Sequence, residues 1–86
     1  MPRISTFYGI VIAMYYRDHA PPHFHAIYGE HEATIVIATL AVLSGSLPTR
    51  ALRLVRDWAR IHGGELDSNW QKARDRMPLD TIEPLA

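Results

Sequence analysis

With 86 residues, nine Lys+Arg against nine Asp+Glu and no cysteine, the sequence describes one small domain (1–86) without disulfides, thiolate metal sites or a cysteine nucleophile. Zero formal net charge removes any global pull towards nucleic acid or an anionic membrane, and a 48% hydrophobic content excludes a disordered chain. A chain this short buries a modest core and has a net stability on the order of 5 kcal/mol.

In chain order, the first element is "FYGIVIAMYY" at 7–16, rich in β-branched and aromatic residues, which predicts a strand buried on both faces. Gly9 within it signals a bulge or a close backbone approach. The run is too short to span a bilayer, and the residues around it lack the layout of a secretory signal, so the expectation is a soluble cytoplasmic protein. "RDHAPP" at 17–22 is a loop stiffened by two prolines. "HFHAIY" at 23–28 is the second strand, "GEH" the turn and "EATIVIA" at 32–38 the third strand. A short fourth strand is expected within 40–47, ending near Ser44, Gly45 and Ser46.

Helical periodicity then takes over. "PTRALRLVRDWARIH" at 48–62 places Leu52, Leu54, Val55, Trp58, Ala59 and Ile61 on one half of a helical wheel and Arg50, Arg53, Arg56, Asp57 and Arg60 on the other. Gly63 and Gly64 end that helix. A second helix at 65–77 carries the stripe Leu66, Trp70, Ala73 and Met77, with acids leading and bases closing it as the helix dipole favours. Pro78 stops it, and 78–86 is a tail that either docks back or engages a partner. Strands first and helices after argue for an α+β domain: an antiparallel sheet of three to four strands over about 7–47, then a helical hairpin over about 48–77 packed on one face.

Three of the chain's five histidines, His19, His23 and His25, crowd around the double proline. Alternation along the strand puts Phe24, Ala26 and Tyr28 on one face and His23, His25 and Ile27 on the other. A turn made of Glu30 and His31 would place Ala26 opposite Ile35, Phe24 opposite Ile37, His25 opposite Val36, Ile27 opposite Thr34 and His23 opposite Ala38. The histidine face is then the one the helices leave uncovered.

The elements "DHAPPHFHAIYG" and "GSLPTRALRLVRDW", with "NW" and a closing "IEPL", resemble the small prokaryotic family of unknown function numbered 4160 over nearly the whole chain. The resemblance implies no assigned activity. It does imply a genomic neighbour, a second uncharacterised family numbered 2442, and a suggested toxin–antitoxin-like pairing. Members of the family commonly carry an acid where this chain has Val36, and "TG" where it has Thr39 and Leu40. An acid at that position would have partnered His25; valine makes the second face of the sheet more apolar.

Several readings of the histidines stand side by side. As metal ligands, His23 and His25 project to one side of a strand and His19 closes a three-ligand set with an open position, as a hydrolytic divalent metal requires, with Asp18, Glu30, His31 and Glu32 close by. As an acid–base site, His19, His23 or His25 shuttles protons, positioned by Asp18, but no serine sits in a nucleophile context. As structural residues, the imidazoles pack and hydrogen-bond, or line a partner surface beside Ile27 and Val36.

Arg50, Arg53, Arg56 and Arg60 fork onto a partner's carboxylates or phosphates, or form a solvated face with Asp57 pairing to Arg53; zero net charge disfavours nucleic acid. The reading adopted is an interaction module that needs no cofactor, assembling as a homodimer or with a neighbour-encoded protein in a toxin–antitoxin-like pair; enzymatic activity and a divalent metal stay open. The alternative is a small metal-dependent hydrolase or nuclease-like effector built on His19, His23 and His25.

Overall fold

A computed structural model describes residues 2–86. Five strands, β1 (Arg3–Phe7), β2 (Ile10–Ala13), β3 (His23–Tyr28), β4 (His31–Val36) and β5 (Val42–Gly45), form one antiparallel sheet in sequential order. Two helices follow, α1 (Thr49–Ile61) and α2 (Gly63–Arg74). The α+β class stands, with one strand more than the sequence suggests.

The extra strand comes from the 7–16 run, which is not one strand but the end of a hairpin. Tyr8 and Gly9 both take positive φ, 50° and 78°, and reverse the chain so that Phe7 pairs with Ile10. A two-residue turn with both residues left-handed is the favoured hairpin connection, but a tyrosine in it is uncommon. β3 runs over 23–28 as expected. The turn after it is Gly29–Glu30, with Gly29 at φ 60°, so the pairing slips by two residues from the sequence expectation. Ala26 faces Ala33, Phe24 faces Ile35, His25 faces Thr34, Ile27 faces Glu32 and His23 faces Val36. A slip of two preserves which face each side chain occupies, so the predicted core row survives.

That row, Ile10, Ile12, Phe24, Ala26, Ala33 and Ile35, is buried beneath the helices with Val55, Trp58, Ala59, Leu66 and Trp70. The Trp58 ring lies 5.3 Å from Phe7 and 6.0 Å from Phe24. Ile61 and Met77, expected on apolar stripes, are 69% and 50% exposed. Ile61 is the last residue of α1 and Met77 lies beyond α2, where the helical period no longer aims a side chain at the sheet. Gly63 and Gly64 do not separate the helices; they open α2 directly after a bend at His62. No helix among the described residues is long and apolar enough to cross a membrane.

Residues beyond α2 dock back on the domain. Ile82 is buried and its N–H donates to the Ile4 carbonyl at 2.7 Å, covering the free edge of β1. The Trp58 indole N–H donates to Glu83 O at 2.8 Å, and Tyr8 Oη donates to Ala86 O at 2.9 Å. Buried Asn69 clamps Asp80 in both directions, Nδ2 to its carbonyl and Oδ1 from its N–H, each at 2.9 Å. The opposite edge, β5, has no such cover among the described residues, and its Val42 and Leu43 are exposed.

Candidate metal centre

The site forms where the loop between β2 and β3 folds over the end of the sheet. Strand alternation aims His23 and His25 the same way, and their rings stand 5.3 Å apart. Arg17, at φ 59°, turns the chain, and Asp18 follows it into the space between the two imidazoles. The Ala20–Pro21 peptide after it is cis. A single carboxylate oxygen, Asp18 Oδ2, lies 2.8 Å from His23 Nε2 and 3.1 Å from His25 Nε2. The other, Oδ1, accepts the His19 N–H at 2.9 Å.

The outer nitrogens are also engaged. His23 Nδ1 donates to the Pro21 carbonyl at 2.7 Å, and His25 Nδ1 lies 3.2 Å from Glu32 Oε2. Tyr15 presses its ring edge-on to His25 at 4.2 Å, and Trp70 of α2 lies 5.1 Å from His23. The helical layer therefore does reach one end of the second sheet face, and His23, expected on an uncovered surface, is only 4% exposed. Burial alone would raise the Asp18 pKa, but hydrogen bonds from His25, His23 and the His19 N–H outweigh it and hold the carboxyl at about 2. Burial first, then the negative charges of Glu32 and Asp18, raises the Tyr15 hydroxyl pKa.

The inner atoms of Asp18, His23 and His25 all lie within 4.8 Å of one another. Ligands 2.1 Å from a zinc-sized ion stand about 3.0 Å apart in an octahedron and about 3.4 Å apart in a tetrahedron. The two Asp18 distances lie within a few tenths of an ångström of that range, so Asp18, His23 and His25 are a candidate two-histidine, one-carboxylate ligand set.

Of the sequence candidates, the structure gathers Asp18, His23 and His25. It leaves out His19, whose ring is exposed and whose contribution is its backbone N–H. A loop residue four before β3 does not share the strand's period, which is why the expected His19, His23 and His25 set is replaced by one with Asp18. Glu30 and His31 are exposed at the turn, while Glu32 joins through His25. Trp70 and Tyr15, read as core and strand residues, wall the site. Ile27 and Val36 share the open face half-buried, and Val36 lies opposite His23 rather than His25. Arg50, Arg53 and Arg60 are exposed on α1 and Arg56 is half-buried, all remote in sequence from the centre.

Fold and site together define a small α+β domain with an Asp–His–His cluster on the end of its sheet. The chain belongs to the family described as Domain of unknown function (DUF4160), whose family model matches residues 9–71 and so covers every member of the cluster. No curated protein and no solved structure matches the chain.

Proposed function

We propose that this protein binds one divalent transition-metal ion through Asp18 Oδ2, His23 Nε2 and His25 Nε2, and that the centre serves hydrolytic chemistry. The observation that carries this reading is the count of donors. Carbonyl and carboxylate oxygens only accept, and both nitrogens of each imidazole face one: Pro21 O and Asp18 for His23, Glu32 and Asp18 for His25. A neutral imidazole has one N–H, so each ring in its neutral form lacks one proton for its two contacts, and only protonation of both rings or a cation between them satisfies all four. On this proposal a metal ion among the inner atoms takes the place of both missing protons. The outer N–H groups then point at a carbonyl and a carboxylate, the arrangement that fixes the tautomer and orientation of metal-bound histidines.

Three protein ligands leave positions for water and substrate, and a metal held this way lowers the pKa of bound water towards neutrality. Asp18 supplies negative charge at the ion, Glu32 raises the basicity of His25, and Tyr15 and Trp70 exclude solvent from the two rings.

The test is metal content by mass spectrometry on tag-free protein, with thermal unfolding before and after chelation. Near one equivalent of metal and a lower melting temperature on chelation are expected. A metal-free protein whose melt ignores both chelator and added metal overturns the reading. Loaded protein is then screened on phosphoester, ester and peptide substrates.

A second reading, an interaction module that assembles with itself or with a neighbour-encoded small protein in a toxin–antitoxin-like pair, draws on one observation. The β5 edge is bare while the β1 edge is strapped, and exposed Val42 and Leu43 lie on it. Mass measurement in solution across a hundredfold concentration range, on the native chain and on a Leu43→Ser variant, tests it. A monomer at every concentration and no captured neighbour-encoded protein would rule it out.

A further inference from the structure

The arginine face of α1 is not used by the Asp18 centre, and one of its arginines, Arg56, is half-buried and held in place. A groove of about 270 Å³ is lined by Thr49, Leu52, Arg53, Arg56 and Arg60, with no acidic residue among them. Arg56 is anchored from behind: its Nε–H donates to the Leu40 carbonyl at 3.0 Å. Leu40 sits at φ 62° in the turn between β4 and β5, its own N–H bonded to Val36 O, so the carbonyl that fixes Arg56 is itself fixed. The two terminal nitrogens of Arg56 remain as a fork with little rotamer freedom left to lose.

The acid of α1 does not neutralise this groove in the way the sequence suggests. Asp57 pairs with Arg60 at 3.0 Å instead of with Arg53, so it offsets one of the groove's three arginines and leaves Arg53 without an ion pair among the described residues. Thr49, at the uncapped first turn of the helix, adds a hydroxyl at the positive end of its dipole. Like charges lining one concave surface raise the local potential and concentrate anions there.

We propose that this groove binds a small phosphate-bearing anion, with Arg56 as the fixed bidentate grip and Arg53 and Arg60 closing on the remaining oxygens. Planar guanidinium forks match phosphate oxygens in pairs. Zero net charge over the whole chain and a groove confined to one helix face favour a small ligand over a nucleic-acid strand. The site is independent of the Asp18 centre and holds whether or not that centre carries metal.

Calorimetric titration of the full chain with pyrophosphate tests it, before and after chelation. Saturable 1:1 binding is expected, unchanged by chelator and weakened at least tenfold in Arg53→Gln and in Arg56→Lys, which keeps the charge but loses the fork. Arg53 is exposed and makes no ion pair or side-chain hydrogen bond among the described residues, so the Arg53→Gln result stands even if Arg56→Lys loses stability. Arg50→Gln, outside the groove, should bind within twofold of the native chain. Absence of saturable binding, equal affinity in Arg53→Gln, or loss of binding on chelation each overturns the proposal. So does tight binding of a single-stranded oligonucleotide that pyrophosphate does not displace.

Discussion

One oxygen of Asp18 holds two imidazoles, so single-atom changes around it should read out separately. His25→Ala should abolish metal loading with the fold retained, because the His25 ring lies outside the core beneath the helices and pairs with the Asp18 and Glu32 side chains; His19→Ala should leave metal content unchanged, and the pair of metal assays separates ligand from bystander. Glu32→Gln keeps the size of the side chain but weakens its hold on His25, and should lower metal affinity roughly 10- to 100-fold in a competition titration.

A different residue shows the opposite sign. Ser5 Oγ is buried with no hydrogen-bond partner among the described residues, so Ser5→Ala should stabilise the protein by about 1 kcal/mol in urea unfolding. At this scale the sequence was readable where periodicity applied: alternation alone placed His23 and His25 together. Asp18 and Glu32 were visible only as neighbours, since a loop conformation and a turn length, not a period, bring them in.

Elements were legible in proportion to how ordinary their punctuation is. β3, with the two prolines before it and glycine after it, has the bounds the residues suggest. The β1–β2 hairpin was hidden because its turn is Tyr8–Gly9 rather than an Asn-Gly or Asp-Gly pair, and because apolar residues continue through both strands. Gly63 and Gly64 read as a stop because glycine most often follows a helix; here they begin one, and a Cβ at either would meet open space. β5 ends on Gly45 at φ 75°, and a Cβ there would lie 2.1 Å from the Glu32 carbonyl oxygen. Gly45→Ala should therefore cost at least about 2 kcal/mol, measured by urea unfolding, and displace the strand that carries Glu32.

For the molecule as a whole, the segment after α2 is part of the core rather than an appendage. Ile82→Ala should destabilise by about 2–4 kcal/mol in the same assay, a large share of what a domain of this size has to lose. The sequence left open whether "IEPL" docks or reaches for a partner, because no periodicity marks an irregular strap; its anchors are backbone groups meeting Ile4, Trp58 and Asn69. The strap joins the first strand to nearly the last residues. A nascent chain on the ribosome therefore exposes the β1 edge until Ile82 has emerged and an unpaired Trp58 indole N–H until Glu83 has. Five strands and two helices can be synthesised before the contacts that complete the native state are available.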